Sequence, residues 1–341
     1  MQGFASDNIS GVHEKVMNAL LKANNGHVPP YGNDEYTKKA ADRFRELFGE
    51  SIDVFFVFNG TAANVLSLAA AARSFHSVIV SAESHMNVDE CGAPEKFTGC
   101  KTIPVPSKGG KLSLEDIRPL LKGFDDPHHS RPKVVSITQP TELGEVYTTD
   151  EIAAIAGLAH ENGLCLHMDG ARIANAVAHL NIDPREMTSE AGVDILSFGG
   201  TKNGIMYGEA VVFFDRELAE HFNRIRKQGM QLGSKMRFIA AQFDALLADG
   251  LWLESAAHAN RMAERLYLKI KDLAHVEVTE KVQSNVVFAA IPGHLVEILQ
   301  KEYYFYTWDE TLSKVRLMTC FNTTEDQVDR FADTIRYVSV G

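Results

Sequence analysis

The sequence predicts an α/β protein in which a mostly parallel central sheet fills a large domain and a smaller α+β domain follows it. Its 341 residues exceed the usual size of one hydrophobic core, so two domains are expected. Between residues 54 and 214, short β-branched or aromatic runs alternate with amphipathic stretches of helical length. From about residue 216 the pattern becomes mainly helical. We expect a large domain over 1–250, including an N-terminal segment at 1–36, and a small domain over 251–341.

Seven strands are predicted in the large domain, each as a short run rich in β-branched or aromatic residues. They cover residues 54–58, 77–80, 102–105, 133–138, 164–168, 195–198 and 210–214. The helices predicted between them cover residues 62–72, 113–121, 149–161 and 172–178. Because strands and helices alternate, these runs should form parallel βαβ units.

The C-terminal part begins with two amphipathic helices. Residues 236–248 and 252–273 carry apolar residues at the three-to-four spacing of a core-facing stripe. Runs at 285–291 and 315–319 predict strands, and residues 324–338 predict a closing helix.

Composition argues against several classes of function. Asp and Glu outnumber Lys and Arg by 45 to 34, and no basic block is long enough to follow a phosphate backbone, so nucleic acid is not an expected partner. The four cysteines lack zinc-site spacing, which indicates reduced thiols and no metal site. We find no signal-peptide pattern and no run of the roughly 20 apolar residues that cross a bilayer. A cytoplasmic protein without a membrane partner is expected.

Three segments carry candidate chemistry. Residues 59–64 (Asn-Gly-Thr-Ala-Ala-Asn) open an alanine-rich helix, where free N–H groups form either an anion cradle or a plain helix cap. Asp169 follows a continuous apolar strand, the edge at which ligand-binding groups gather in α/β sheets. A buried carboxylate needs a partner, which would be Arg172 in a structural ion pair or a protonated heterocyclic nitrogen.

The third segment contains Lys202, which follows a strand and stands among glycines in Gly-Gly-Thr-Lys-Asn-Gly. A partly apolar pocket would favour the free amine that forms a Schiff base. A nucleotide-binding interpretation fails, because neither GxGxxG nor GxxxxGK[ST] is present. An anion cradle, a strand-end acid and a lysine match the phosphate, ring nitrogen and aldehyde of pyridoxal 5'-phosphate (PLP).

With these segments in this order, the sequence resembles fold type I PLP enzymes, and among them the threonine aldolase and β-eliminating lyase group. The resemblance extends through most of the chain and implies a PLP-dependent transferase-like fold. It rests on residues 6–8 (Ser-Asp-Asn), 31–34 (Tyr-Gly-Asn-Asp), 59–64, 84–85 (Ser-His), His128, 169–172 (Asp-Gly-Ala-Arg), 201–202 (Thr-Lys) and 315–317 (Val-Arg-Leu).

The resemblance implies a role for each candidate residue. Lys202 would carry PLP as a Schiff base, Asp169 would pair with its ring nitrogen, and His85 would stack on its ring. The phosphate would be held by Gly60, Thr61, Thr201 and, in the segment 229–237, Arg237. The substrate carboxylate would be bound by Ser6, Arg172 and Arg316, with Arg172 also near the cofactor, while Tyr31 and Asp89 would line the substrate site.

Other interpretations of single residues stay open at this point. His85 and His128 are the two candidates for the catalytic base, with His85 acting directly or through water. Without the resemblance, His128 would be a solvated histidine in the loop 123–132, and His85 an ordinary buried or loop residue. Arg316 would be an edge-strand arginine in a surface ion pair.

The chain departs from the commoner bacterial pattern at three places. Gly-Gly-Thr-Lys-Asn-Gly replaces a Leu-Ser-Lys-Gly segment, Asp89 stands where relatives often carry an aromatic residue, and residues 139–142 (Gln-Pro-Thr-Glu) replace Glu-Asn-Thr-His. The second departure puts the substrate preference in question.

The resemblance implies retro-aldol cleavage of a β-hydroxy amino acid, with L-threonine as the reference substrate. It also implies a homo-oligomer, expected as a homotetramer, with active sites shared across a dimer interface. The alternatives are a phenylserine aldolase, a β-eliminating lyase or racemase on the same fold, and a PLP-binding protein without catalysis.

Overall fold

The computed structural model describes residues 2–338, which form three sheets and the helices around them. In chain order the strands are β1 (Gln2–Gly3), β2 (Asp53–Val57), β3 (His76–Ser81), β4 (Lys101–Val105), β5 (Arg131–Thr138), β6 (Cys165–Gly170), β7 (Ile195–Gly199), β8 (Glu209–Phe213), β9 (Glu277–Val278), β10 (Val286–Ala290), β11 (Tyr303–Tyr304), β12 (Tyr306–Asp309) and β13 (Lys314–Met318).

The α-helices are α1 (Glu14–Ala23), α2 (Glu35–Phe48), α3 (Gly60–Ala71), α4 (His85–Val88), α5 (Ala93–Thr98), α6 (Leu114–Ile117), α7 (Thr149–Glu161), α8 (Ile173–Leu180), α9 (Arg216–Ala219), α10 (Phe222–Gln228), α11 (Arg237–Leu247), α12 (Leu251–Ile270), α13 (Gly293–Leu299) and α14 (Glu325–Val338). Short 3-10 turns at Asp7–Ile9 and Thr201–Asn203 matter for the site described below. None of the helices within residues 2–338 is long and apolar enough to cross a membrane.

All seven strands predicted for the large domain form, and they make one sheet in the order β2-β8-β7-β6-β5-β3-β4. The five strands from β7 to β4 are parallel, whereas β8 runs antiparallel to both β7 and β2. A parallel crossover needs about a dozen residues or more, and the link at 200–208 is shorter, so β8 has to turn back beside β7. The prediction of a mostly parallel sheet is confirmed.

Both faces of this sheet are buried, each against its own hydrophobic core. Leu166 and Leu196 belong to the larger core with α2, α7, α8 and α11, whereas their neighbours Cys165 and Ile195 belong to a second core with α3 and α10. Strands buried on both faces read as continuous apolar runs rather than alternating ones. This explains why the runs were recognisable in the sequence.

The C-terminal part forms a four-stranded antiparallel sheet in the order β12-β13-β10-β9, packed against α12 and α14. The first residues of the chain also belong here, because β1 pairs with β11 and Phe4 lies in the core of this sheet. The segment 1–36 was assigned to the large domain as a whole, so the structure corrects its first residues.

Two further differences concern helices. Helices α1 and α2 were not predicted, although α2 places Ala40, Phe44 and Phe48 on one buried stripe. The predicted helix at 113–121 is instead a single α-helical turn followed by a 3-10 turn. Pro119 has no backbone N–H to donate the hydrogen bond that would continue the α-helix.

Candidate active site

The candidate site lies at the carboxyl ends of β6 and β7, which are adjacent parallel strands. Asp169 ends β6 in register with Ser197 of β7, and Lys202 follows β7 in the turn Thr201–Asn203. The charge of Lys202 lowers the pKa values of both His85 and Asp7, so these groups lie close enough to Lys202 to interact with it. The structure therefore brings the acid, the lysine and the histidine together as predicted.

Two glycines allow the Lys202 turn to pack against the end of β6. A Cβ atom on Gly199 would lie 2.0 Å from the Ala171 carbonyl oxygen, and one on Gly200 would lie 2.9 Å from the Gly208 carbonyl oxygen. Asn203 then anchors the turn by donating to the Trp252 carbonyl oxygen at 2.9 Å. Within residues 2–338, Lys202 Nζ has no hydrogen-bond or ion-pair partner, so the amine is available.

A buried carboxylate that was not among the residues predicted from the sequence stabilises this turn. Glu209 of β8 accepts a hydrogen bond from the Gly200 amide at 2.6 Å. Burial raises the pKa of Glu209 to about 7, against the opposing hydrogen bonds of Thr201 and Gly200 and the charge of Lys202. The Thr201 hydroxyl also accepts a hydrogen bond from the Gly208 amide at 3.1 Å, so it closes the turn; its predicted phosphate contact stays a prediction.

Asp169 is buried, and its partners are neutral. Its Oδ2 accepts from Asn64 Nδ2 at 2.9 Å, and its Oδ1 accepts from the Ala171 amide at 3.1 Å. The structural ion pair with Arg172, which was the alternative considered from the sequence, does not form. A carboxylate held by neutral donors keeps its charge available for a protonated ring nitrogen.

Arg172 instead pairs with Asp7, a residue to which the sequence assigned no role. Arg172 Nε donates to Asp7 Oδ2 at 2.6 Å and Nη2 donates to Oδ1 at 3.0 Å, and Asn285 adds a third donor at 3.2 Å. Burial acts to raise the pKa of Asp7, but the charge and hydrogen bonds of Arg172 outweigh it and bring the pKa below its ordinary value. This pair fixes the Arg172 guanidinium at the edge of the site.

Arg316 lacks such a counterion. It lies in β13, which pairs with β10 on one side and β12 on the other, so the edge-strand interpretation is wrong. Its Nη2 donates to the Ala5 carbonyl oxygen at 3.3 Å, while its buried Nε has no hydrogen-bond partner. Burial and the charge of Arg172 lower the pKa of Arg316. Arg172 and Arg316 are thus two neighbouring cations that repel each other, and within residues 2–338 Arg316 has no carboxylate partner. An anion that binds between them would relieve this repulsion.

Ser6 lies between Ala5, which accepts a hydrogen bond from Arg316, and Asp7, which pairs with Arg172. It is buried, its hydroxyl accepts from the Asn8 amide at 3.2 Å, and it directly precedes Asp7. The three residues predicted to bind the substrate carboxylate, Ser6, Arg172 and Arg316, are therefore brought together. The charge of Glu142 raises the pKa values of His85 and Arg172, which places this unusual residue of the 139–142 segment in the same space.

The start of α3 has the features of an anion cradle. Asn59 caps the helix by accepting from the Ala62 amide at 2.9 Å, and the Ala63 amide bonds the Asn59 carbonyl. This leaves the amides of Gly60 and Thr61 without helical partners. The space around Gly60 is open, since nothing lies within 4 Å of where its Cβ would be. An approaching phosphate would meet two free N–H groups and the Thr61 hydroxyl.

His85 begins the short helix α4, and its Nδ1 lies 3.0 Å from Glu90 Oε1. The hydrogen bond to Glu90 raises the pKa of His85 above its ordinary value, although partial burial opposes the effect. The His85 side chain retains 31% exposure, and within residues 2–338 its Nε2 has no hydrogen-bond partner.

Four predicted residues are not drawn into this cluster. Asp89 is exposed at the end of α4. The Tyr31 amide donates to the Ser234 carbonyl oxygen, Lys227 covers the Tyr31 ring, and the Tyr31 side chain is exposed. The Arg237 guanidinium donates to the Gly26 carbonyl oxygen at 3.1 Å and lies over the ring of the neighbouring Phe238. Within the described residues, neither Tyr31 nor Arg237 contacts the start of α3.

His128 is the predicted residue that lies farthest from this cluster within the chain. It is exposed in the loop that precedes β5, whereas Asp169 pairs with Thr138 at the far end of that strand. An eight-residue strand separates its two ends by about 23 Å. Within one chain, His128 therefore lies near the amino-terminal end of β5, whereas Lys202 lies at the carboxyl ends of the strands.

The residues present fit PLP. A helix start with free amides suits a phosphate, a buried carboxylate with neutral donors suits a ring nitrogen, and an amine without a partner suits an aldehyde. In residues 2–338 there is no group of three or more His, Cys, Asp or Glu side chains that could hold a metal ion.

Comparison with known proteins agrees with this fit. A family model described as β-eliminating lyase matches residues 3–292. The low specificity L-threonine aldolase of Pseudomonas sp. strain NCIMB 10558 is 48% identical, over 99% of this chain and 98% of that protein. The enzyme of the same name from Pseudomonas aeruginosa is 45% identical over the same shares. A structure of Leishmania major threonine aldolase matches with a TM-score of 0.94 and 29% identity, over 99% of this chain and 100% of that one.

Proposed function

This chain belongs to the β-eliminating lyase family, and we propose that it is a PLP-dependent aldolase that cleaves L-threonine, L-allo-threonine and related β-hydroxy amino acids to glycine and an aldehyde. The observation that carries the proposal is the unpartnered amine of Lys202 beside the Asp169 carboxylate, whose partners are all neutral. An aldolase of the same type is nearly half identical over the whole length.

Each residue of the site has a task in this reaction. Lys202 would hold the cofactor as a Schiff base until a substrate amine replaces it. PLP, when bound, supplies the electron sink that makes cleavage next to the amino group feasible. Asp169 would hold a proton on the ring nitrogen, because a nearby carboxylate favours the charged form of a base. Gly60 and Thr61 would bind the phosphate through their amides.

The substrate carboxylate would be bound by Arg316, with Arg172 and Ser6 beside it. Arg316 is the guanidinium without a carboxylate partner in the described chain, and its buried Nε lacks an acceptor. A carboxylate would compensate the charge and satisfy this donor at once. Binding there would orient the rest of the amino acid toward Lys202.

We assign the proton acceptor for the β-hydroxyl group to His85. It lies at the site within one chain, whereas His128 lies at the other edge of the sheet. A neutral imidazole suits the task of accepting this proton. His128 keeps a role only if a second subunit delivers it.

A homo-oligomer would give the exposed candidates a function. Tyr31, Arg237 and His128 lie outside the cluster of this chain, and Tyr31 is 46% exposed. Exposed apolar side chains such as Met206 and Met230 offer surface for subunit contacts. We propose a homotetramer in which these residues complete a neighbouring site. The four free cysteines support a cytoplasmic location, where thiols stay reduced.

The test combines spectroscopy with product analysis. Purified protein should show the visible absorbance of a PLP Schiff base and release acetaldehyde from L-threonine, and K202A should lose both. The surface variant K96A is the matched control and should retain both. A protein that cannot be reconstituted with PLP would refute the proposal. The protein could instead show cofactor absorbance but release no acetaldehyde, and cleave phenylserine or catalyse elimination or racemisation. That result would keep the cofactor assignment and replace the proposed reaction.

A further inference from the structure

Four polar side chains, three of them buried, form a continuous hydrogen-bonded chain that links the acid of the site to its histidine. Asn64 Nδ2 donates to Asp169 Oδ2 at 2.9 Å and to Glu90 Oε1 at 2.9 Å. Glu90 Oε1 in turn lies 3.0 Å from His85 Nδ1. We call these four residues the polar chain.

Asn64 is placed in this chain at a cost that only its hydrogen bonds offset. It is 2% exposed in the alanine-rich helix α3, where a buried amide without partners would be unfavourable. An amide nitrogen carries two hydrogens, and both are used on carboxylate oxygens. Asn64 therefore bridges two acids that would otherwise repel each other.

Glu90 is the unusual member of the chain. Its side chain is 0% exposed, and within residues 2–338 it has no lysine or arginine partner. Burial raises the pKa of Glu90, whereas the hydrogen bonds of His85 and Asn64 oppose this. Its second oxygen, Oε2, has no hydrogen-bond partner. His85 is thus the one neighbour that can supply a positive charge to it.

We propose that Glu90 is a positioning residue that sets the tautomer of His85 for the aldol cleavage, an inference that rests on the proposed function. An ionised carboxylate only accepts hydrogen bonds, so Nδ1 must carry the hydrogen and Nε2 must carry the lone pair. Nε2 then faces the site as the proton acceptor. Pairs of this kind fix ring orientation and increase the basicity of histidines in metal sites.

The proton step balances with these groups. The hydroxyl O–H bond breaks and the Nε2–H bond forms; the O–H electron pair becomes the second bond of the aldehyde carbonyl. The Cα–Cβ pair remains with Cα, which takes up one proton before glycine leaves. The charge of the imidazolium that forms is balanced by Glu90. Cα takes its proton from water, and the imidazolium returns its own proton to the hydroxide that remains, so the cycle closes without net proton transfer. Asn64 connects the same carboxylate to Asp169, so the chain holds both acids in place.

The test measures the imidazole pKa of His85 by NMR in 15N-histidine-labelled protein, with H85Q used for assignment. The groups that face His85 are Glu90, Glu142, Asp169 and Lys202. E90Q keeps the size of the side chain but removes its charge, so the pKa should fall. The matched control is E83Q, because Glu83 bonds Ser81 and Ser107 and makes no contact with His85; its pKa should stay at the wild-type value.

Activity gives the second readout. A neutral His85 is required, so activity is lost as pH falls through its pKa, and E90Q should move this acidic limb to lower pH. We expect kcat to fall about 10- to 100-fold in E90Q, with little change in KM, and about 10²- to 10⁴-fold in H85F. E90D, which restores a carboxylate, should recover part of the loss.

The outcomes separate this inference from the proposed function. The NMR readout needs neither substrate nor turnover, so it stands even if the protein proves not to be an aldolase. A folded E90Q protein with an unchanged His85 pKa would overturn the inference, and so would an acidic limb that does not move. If E90Q does not fold, the wild-type protein decides the question. A His85 pKa in the folded wild type that is no higher than in the same protein unfolded in urea would then overturn the inference.

Discussion

Arg316 shows how a single residue can be identified as a binding group from what it lacks. Its guanidinium lies over the rings of Trp308 and Tyr306 at 5.0 and 5.5 Å, and its one hydrogen bond within residues 2–338 goes to a backbone carbonyl. Aromatic faces and one carbonyl hold the side chain without neutralising it. Its charge is thus kept for a ligand.

R316Q should therefore raise KM for L-threonine about 10- to 100-fold, because a hydrogen bond to a charged group contributes about 1.5–3 kcal/mol and 1.4 kcal/mol is a factor of ten. Steady-state kinetics measure this directly. R330Q is the control, since Arg330 is a 70% exposed partner of Asp326 on α14, and its KM should equal that of the wild type. An unchanged KM in R316Q would exclude the carboxylate site.

Glu209 makes stability depend on pH. Its pKa is raised from 4.5 to about 7 by burial, while the unfolded chain keeps the ordinary value. Between these values the folded state binds more protons than the unfolded state, so stability falls as pH rises, by on the order of 3 kcal/mol. E209Q cannot ionise and should lack this slope.

Urea unfolding at about pH 5 and about pH 7 measures the slope. E217Q is the control, because Glu217 is exposed at the start of α9 and should leave the slope as in the wild type. Equal slopes in wild type and E209Q would show that Glu209 does not ionise in this range.

At the scale of elements, the turn after β7 depends on its glycines. In G199A the new Cβ would meet the Ala171 backbone, which cannot move without displacing the end of β6. We expect G199A to lose several kcal/mol of stability and to bind PLP poorly, since overpacking alone costs about 1–3 kcal/mol. Chemical denaturation and PLP titration check both effects.

G157A is the opposite case. Gly157 lies in α7, is exposed, and has nothing within 4 Å of its Cβ position. Alanine should stabilise the helix by about 0.5–1 kcal/mol and leave PLP binding unchanged. If both variants behaved alike, close packing at Gly199 would not be what holds the lysine turn.

The elements also show what could be predicted from sequence. The seven strands were found because burial on both faces makes their runs continuously apolar, and Asp169 and Lys202 were found because they follow such runs. Helix α2 was missed because its three buried residues, Ala40, Phe44 and Phe48, are separated by mostly polar and charged residues. Its stripe was the signal that would have identified it.

Partners distant in sequence could not be predicted. Asp7 and Arg172 are 165 residues apart, and nothing local to either residue specifies the other. The Asp169–Arg172 ion pair, one of the two partnerships considered for Asp169, does not form, because Arg172 pairs with Asp7. Glu90 and Asn64 had weak local signals: an acid five residues after His85 and an amide inside an alanine-rich helix.

At the scale of the whole molecule, the first residues join the small sheet to the active site. Phe4 is 1% exposed in the C-terminal core, and its ring stacks on Phe331 at 4.5 Å. Its amide donates to the Tyr304 carbonyl and its carbonyl accepts from the Met318 amide, both at 2.7 Å. Of the next three residues, Ala5 accepts a hydrogen bond from Arg316 and Asp7 pairs with Arg172. Anchoring Phe4 therefore positions the carboxylate site.

F4A should affect stability and substrate binding together. Removing a buried phenylalanine costs about 3–5 kcal/mol, and the loosened segment would no longer hold Asp7 and Ser6 against the arginines, so KM for L-threonine should rise. L299A is the matched control, because Leu299 is 0% exposed in the same core but lies in α13, outside the N-terminal segment. It should lose about 2–5 kcal/mol with KM unchanged. Both variants are assayed well below their melting temperatures. An equal rise of KM in the two variants would mean that the small domain acts on the site as a whole. An unchanged KM in F4A would mean that the arginines need no N-terminal anchor.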